Sequence, residues 1–495
     1  RRVLFRSYNR TFGRHDVNAM LLYNQDELVN NVPGNNLINS LPKRKQGLAG
    51  RLSYAYDGKY MAEVNMGYNG SENFAKGHRW GFFPSIALGY NISEESFFEP
   101  LRKVITSMKL RGSWGLVGND QIGGERFIYM PTINLSGKGF TTGIDQNYGL
   151  SGPVYTRYEN NSITWEVGEK INLGIDLQLL NSLNIVVDIF RETRRDIFQK
   201  KGTIPTYLGT GNTDVFGNLA EMKNQGLDLS IDYNKAFSKD FYMNFKGTFT
   251  YAHNEITKYD EAPKYAFQSK VGQSANVSQG YLSNGLFLDE AEIDRYNQQM
   301  GSTLGAGDIK YLNVSNMHGY GDDIVDVDDW TWIGNPTVPE IVYGFGPSFK
   351  YKNWDFSFFF QGVAKTSLFM SGFHPFGDNS LRNVLQFVAN DRWSPTNQNV
   401  DAKYPRLTRK TSLNNTNPGN SGRTSDYWMR DGSFLKLKNM ELGYTFKRMR
   451  FYISGSNLLT FSKFDLWDPE QGGGSGLKYP TQRVFNVGFQ MTFNN

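Results

Sequence analysis

The 495-residue chain contains no cysteine, so neither a disulfide framework nor a thiolate-bound metal enters its chemistry. Nowhere does it approach the run of roughly 20 apolar residues that a membrane-spanning helix needs. That absence excludes helical spans but not strands, because a spanning strand hides its lipid-facing side chains in alternation. Charge of one sign is missing too: 53 Lys and Arg against 48 Asp and Glu leave a formal charge of +5 scattered along the length, with no basic patch for nucleic acid. The five histidines, His15, His78, His253, His318 and His374, are too dispersed for a ligand cluster, and no G-x-S-x-G, P-loop or H-E-x-x-H occurs. A glycosidase needs only two carboxylates, which sequence does not exclude, but nothing points to such a pair. The chain is therefore read as a non-enzyme. It opens on Arg1 with neither an initiator Met nor a secretory signal, and the expectation is a C-terminal portion of a longer protein.

Aromatic residues and glycine are abundant, at 15% and 52 residues. At 483–493, Phe485, Val487, Phe489, Met491 and Phe493 share one parity, and Asn486, Gly488, Gln490 and Thr492 the other. Successive side chains of a strand point to opposite faces, so this is a strand with a fatty face and a small polar face. Its length suits a tilted membrane strand of about 9–11 residues, and suits equally the last strand of a soluble sandwich. The same period recurs. Ile171, Leu173, Ile175, Leu177 and Leu179 alternate with Asn172, Gly174, Asp176 and Gln178, and Leu183, Ile185, Val187 and Ile189 follow a turn. Leu227, Leu229, Ile231 and Tyr233 oppose Asp228, Ser230 and Asp232; Phe241, Met243, Phe245, Phe249 and Tyr251 oppose Asn244, Lys246, Thr248 and Thr250. Trp354, Phe356, Phe358 and Phe360 oppose Asp355, Ser357 and Gln361. Between Leu437 and Met440 the apolar parity switches, which predicts a bulge near Asn439. Pro84, inside an alternating stretch, is an objection because proline removes a ladder donor.

Connections alternate in length. They are tight at 13–14, 57–58, 181–182, 238–240, 352–353 and 447–449, and long at 26–45, 119–164, 191–226, 258–338, 370–432 and 463–481, with 93–103 of middling length. Short turns on one side and long loops on the other are the asymmetry of bacterial outer-membrane barrels. About fifteen strands are visible, and barrels with a plugged lumen have about 22. The expected fold is all-β: one domain, 1–495, forming the C-terminal about fifteen strands of a transmembrane antiparallel β-barrel of about 22, with no plug domain in the chain.

Longer runs then carry a family resemblance. They are 110–119 (LRGSWGLVGN), 164–176 (TWEVGEKINLGID), 217–228 (GNLAEMKNQGLD), 333–345 (IGNPTVPEIVYGF), 391–405 (DRWSPTNQNVDAKYP), 434–445 (FLKLKNMELGYT) and 457–470 (NLLTFSKFDLWDPE). In this order they resemble the SusC/RagA branch of the TonB-dependent transporters of Bacteroidota, and the resemblance runs from Arg14 to Phe493. It implies an outer-membrane importer of oligosaccharides or peptides, energised by TonB through an N-terminal region that this chain lacks, and capped by a SusD-like lipoprotein. Two other readings stay open. One is a soluble, secreted carbohydrate-binding β-protein, which would have to bury its apolar parity against a second sheet. The other is a siderophore or cobalamin receptor of the same transport class.

Candidate sites lie in the loops. The family often carries a calcium-loop-like run where this chain reads GDIKYLNVSNMHGYGDDIVDVDDW at 307–330. Asn313, Asp322, Asp323, Asp326 and Asp328 keep the hard oxygen chemistry of a Ca²⁺ site in the 307–335 loop, but 317–321 lengthens the spacing and breaks the ligand order. A solvated acidic tip is the alternative. For substrate, the loop aromatics Trp330, Trp332, Phe373, His374, Phe376, Trp393, Tyr404 and Trp428 offer faces that stack on sugar rings, or that simply pack long loops together. No catalytic or cofactor-binding residue is expected. The outward parity is expected to meet lipid, and the inward parity (Asp176, Gln178, Asp228, Asp232, Lys246, Asp355, Gln361) to wet a lumen.

Overall fold

A computed structural model describes residues 2–30, 40–123, 126–205, 207, 214–296, 298–299, 304–321, 323–371, 384–407 and 424–493. Fifteen strands form one antiparallel sheet in sequence order. They are β1 (Arg2–Phe12), β2 (His15–Leu28), β3 (Lys43–Tyr56), β4 (Tyr60–Ser71), β5 (Trp80–Asn91), β6 (Ile105–Asn119), β7 (Glu166–Leu179) and β8 (Leu183–Lys200). After these come β9 (Phe216–Ala236), β10 (Phe241–Lys258), β11 (Ile341–Tyr351), β12 (Trp354–Ala364), β13 (Phe434–Phe446), β14 (Met449–Ser462) and β15 (Val484–Met491). The chain divides into two compact units, Arg1–Leu229 with Ala252–Ala262, and Ser230–Tyr251 with Pro263–Asn495.

Partners across an antiparallel ladder point the same way, so alternation within each strand becomes a continuous row across strands. In the first unit Leu110 of β6 faces Ile175 of β7, and Val187 of β8 faces Ile175 from the other side. In the second, Phe356 of β12 faces Phe349 of β11 and Leu442 of β13. This apolar row is not covered by protein: Leu173 is 63% exposed, Ile189 60% and Val487 88%. Aromatic pairs mark its two ends. Tyr68 stacks on Trp80 at 4.7 Å near the long-loop end, and Tyr60 stacks on Tyr90 at 5.1 Å near the tight-turn end. In β1 Arg6 stands on the apolar row opposite Leu21, and nothing in the structure accounts for it.

Tight turns and longer loops segregate to opposite ends of the strands, with local differences from the sequence reading. The connection expected over 191–226 shrinks to 201–215, because β8 and β9 continue past the apolar row. The stretch 119–164 contains a hairpin of its own, Thr132–Thr142 with Tyr148–Arg157. A short connection at 72–79, which belongs to neither the tight nor the long set above, lies at the long-loop end, and the middling one at 92–104 is built from two 3-10 turns at the tight end. The expected bulge is real: β12 pairs Phe359 with Asn439 and Phe360 with Leu437, leaving Lys438 as the extra residue. The facing strand answers at Asn457, whose φ of 55° lets β14 keep pace. Pro84 is paired with Met66 in the β4–β5 ladder and lies just outside the β5–β6 ladder, which begins at Ser85 opposite Gly115.

Among the described residues the clusters of buried apolar side chains sit mainly in the loops. Phe74, Ile122, Ile128, Ile163 and Trp165 form one cluster in the first unit. Tyr281, Leu286, Ile309, Tyr311, Met370, Trp393, Tyr404, Trp428 and their neighbours form a larger one in the second.

Candidate functional site

The polar row of the sheet is a wall of ion pairs set between small residues. Arg111 on β6 donates to Asp176 on β7 from Nε and Nη2 (3.0 and 2.8 Å), and to Asp188 on β8 from Nη1 and Nη2 (3.1 and 3.0 Å). It reaches across β7 because Gly174 lies in between, where a Cβ would come within 2.6 Å of Asp188 Oδ1 and 2.8 Å of Arg111 Cζ. The second unit repeats the device. Arg450 pairs with Asp355 and Glu441, and a Cβ at Gly443 would lie 2.6 Å from the Asp355 oxygens. Arg51 binds Glu63 at 2.7 Å, and Lys246 stands 4.0 Å from Asp232. Gln178 faces Ser107 and Asn184, and Gln361 faces Gly344, so both lie on this same row, as does Asp228 by its parity within β9.

One loop is pinned to this wall. Lys436, on the polar row of β13, has a side chain only 1% exposed and is held between Asp468 and Glu470, its Nζ lying 2.8 Å from Glu470 Oε2. Lys438 adds a second contact to Glu470 at 2.7 Å, and Asp468 Oδ1 accepts the backbone N–H of Glu470 at 3.1 Å. Burial pushes both carboxyl groups up, but hydrogen bonds from Lys436, with Lys438 helping on Glu470, more than offset it and hold both below their ordinary values. A depressed carboxylate stabilises the folded state above the unfolded value of about 4, and that contribution fades as pH falls through the folded value. Limited proteolysis of the purified full-length protein is therefore expected to spare 463–481 at pH 7 and to cut there as the pH is taken from 4 to 3. Equal cutting at both pH values would deny the carboxylates this role.

The larger loop cluster is anchored by polar contacts as well as apolar ones. Arg406 makes a two-point pair with buried Asp308, Nε to Oδ1 at 2.6 Å and Nη2 to Oδ2 at 2.9 Å. Tyr427 donates its hydroxyl to Ala402 O at 2.8 Å, and burial pushes its phenol pKa up.

A sheet with one bare apolar row, one charged row and its apolar cores in the loops at one end is what a membrane-spanning barrel wall requires. The family model described as TonB dependent receptor-like, beta-barrel, matches residues 3–458. The chain belongs to this family. Among curated relatives, TonB-dependent receptor SusC of Bacteroides thetaiotaomicron is 28% identical over 471 residues, covering 90% of this chain and 43% of that protein. TonB-dependent receptor P3 of Formosa agariphila is 26% identical over 481 residues, covering 90% of this chain and 45% of that protein. The chain thus spans about half the length of the curated relatives it matches. A solved structure, that of the RagAB peptide transporter, shares the fold with a TM-score of 0.73 at 20% identity, over 99% of this chain and 55% of that one.

In a TonB-dependent receptor barrel of the outer membrane the bare apolar row faces lipid. On β8 that row runs Leu183, Ile185, Val187 and Ile189, then turns to Arg191, Thr193 and Arg195. On β7 it gives way to Glu169 above Ile171, where Trp114 Nε1 donates to Glu169 Oε1 at 2.9 Å. An indole with its ring in apolar surroundings and its N–H on a polar partner suits the edge of the lipid layer.

Three of the five residues that the acidic loop offers as calcium ligands have an oxygen engaged in local contacts. Asn313 caps the short helix Val314–Met317 by accepting from Asn316 N at 2.7 Å, Asp326 accepts from Asp328 N at 2.8 Å, and Asp328 pairs with Lys264. Asp323 is exposed, and Asp322 lies outside the described residues. Among the described residues no three His, Asp or Glu side chains gather around a point. Of the loop aromatics, Trp428 is fully buried and Trp393 is 6% exposed, both in the loop cluster, where Trp330 packs against them. Trp332 is partly buried and donates to Ser269 O at 2.9 Å. Phe373, His374 and Phe376 lie outside the described residues. Sequence reasoning missed Lys436, Asp468 and Glu470 as one site, although all three fall in runs that carry the family resemblance.

Proposed function

We propose that this chain supplies wall and loops to an outer-membrane importer that draws oligosaccharides or peptides into the periplasm, energised through TonB and working beneath a SusD-like surface lipoprotein. The observation that carries the reading is the placement of apolar surface. A soluble binding protein would bury its apolar row against a second sheet, whereas here that row is bare and the buried clusters belong to the loops. Membership of the TonB-dependent receptor family supports the transport reading, and likeness in fold to the RagAB peptide transporter supports peptides as one of the two substrate classes. Transport needs no covalent step. The loops bind and select, the lumen row of Arg111, Asp176, Asp188, Arg450 and Asp355 keeps the passage wet, and the latch at Lys436 holds one loop to the wall.

The test is to solubilise outer membranes carrying the full-length protein, pull it down, and identify co-purifying proteins and bound molecules by mass spectrometry. A stoichiometric surface lipoprotein with bound glycan or peptide is the expected result. Recovery of the protein from the soluble fraction without such a partner would transfer the reading to a secreted binding protein.

A further inference from the structure

The segment that breaks the spacing of the acidic loop, 317–321, carries two of four aromatic rings that form one column. Phe267 stacks with Tyr265 (5.5 Å, 12° between planes) and with His318 (4.7 Å, 14°), and Tyr320 leans at a tilt against Tyr265 (4.2 Å, 36°) and Phe267 (6.4 Å, 47°). Each half is held from beneath. Ala266–Gln268 is a single 3-10 turn fixed by Gln268 Nε2 donating to Asp328 O at 3.0 Å and Gln279 Nε2 donating to Gln268 O at 2.9 Å. Opposite, the backbone N–H groups of His318 and Tyr320 donate to Val314 O and Ser315 O, both at 3.1 Å. Gly319 and Gly321, at φ 82° and 66°, reverse the chain so that both rings meet the 265–267 turn.

Burial does not explain the column. None of its rings belongs to the loop cluster, Tyr320 is 50% exposed, and His318 is exposed. Lys264, paired with Asp328, sets its ammonium 5.2 Å from the centre of the Tyr265 ring and so gives the column a hydrogen-bonding edge.

We propose that Tyr265, Phe267, His318 and Tyr320 form a sugar platform, with pyranose rings of a linear oligosaccharide stacking on the exposed faces of Tyr320 and His318. A pyranose presents an apolar face of C–H bonds rimmed by hydroxyl groups. The column matches it with flat, prefixed rings for the face, and with tyrosine hydroxyls, an imidazole nitrogen and an ammonium for the rim. An extended peptide would instead require a row of backbone donors and acceptors, which stacked rings do not offer. The insertion that costs the loop its calcium-like spacing thus provides half of a binding surface. The inference rests on the importer reading and narrows its substrate to a glycan.

Calorimetric titration of the detergent-solubilised full-length protein with maltohexaose, laminarihexaose, mannohexaose and xylohexaose tests it, alongside uptake of the same sugars and of a mixed peptide digest by cells. The wild type binds at least one hexasaccharide; Tyr320→Ala and His318→Ala each weaken that binding about fivefold or more, while Tyr320→Phe stays within about twofold. Both rings are exposed, so the fold tolerates their loss. Unchanged affinity in both alanine variants overturns the platform, as does a wild type that binds none of the four. In either case, uptake of sugar or peptide leaves the importer reading standing, and failure to take up any of them removes that reading as well.

Discussion

Replacing Asp468 and Glu470 together by alanine is expected to cost about 3–5 kcal/mol of stability, because it leaves the Lys436 ammonium buried without a counter-charge. Its side chain is 1% exposed, so water cannot take the place of the carboxylates without opening the loop. Changing the other partner should be milder. Lys436→Met removes the charge and keeps most of the volume, while Asp468 and Glu470 are 17% and 32% exposed and Glu470 keeps Lys438 at 2.7 Å. Its expected cost is about 1–3 kcal/mol, because two carboxylates lose a partner but both keep some contact with water. Denaturant unfolding of the purified protein in detergent reads both, with proteolysis at 463–481 reporting local release. If the double alanine variant costs no more than Lys436→Met, the ammonium is hydrated in solution and the latch is not what fastens this loop.

The latch also shows where sequence reading stops. Lys436 lies 32 and 34 residues from its two partners, and Arg111 lies 65 and 77 from Asp176 and Asp188. Such spacings have no local period, so nothing short of the sheet's registration reveals them. Strands with one fatty and one polar face were legible throughout, down to the bulge beside Asn439, because period-two alternation is written residue by residue. The same signal fails once both faces are wet. Beyond Ile189, β8 reads Arg191, Glu192, Thr193, Arg194 and Arg195, and the sequence suggests a loop where the strand runs on to Lys200. The hairpin at 132–157 was hidden for a similar reason, with Leu135 78% and Phe140 72% exposed on a ribbon that has no buried face to set its pattern. Among the site residues, chemistry alone picked out oxygen ligands and indoles. What those groups do depended on helix caps and loop packing, and the ring column depended on two glycines at positive φ.

Arginine placed at Ile175 or Phe358 is expected to destabilise the membrane-inserted protein by about 2–4 kcal/mol, the cost of a basic residue on the lipid face near the bilayer midplane. Ile175 is the centre of the row from Ile171 to Leu179, with Leu110 and Val187 as its lateral neighbours, so a guanidinium there has apolar side chains on either flank. Phe358 occupies the same place in β12, where Phe356 and Phe360 lie 5.7 and 5.8 Å away, ring to ring. Arginine at Gln178, between Ser107 and Asn184 on the opposite row, should cost within about 0.5 kcal/mol, as at a wet surface. Folding into lipid vesicles, followed by denaturant titration, measures all three. The comparison isolates the face, because Ile175 and Gln178 lie on the same strand and the substitution is the same. Were the row covered by a second sheet in a soluble protein, arginine at Ile175 would abolish folding in water and detergent alike, whereas lipid exposure lets detergent hydrate the charge and confines the penalty to the bilayer. Equal tolerance at the two faces would mean that neither meets lipid, and the placement of the apolar row would lose its meaning.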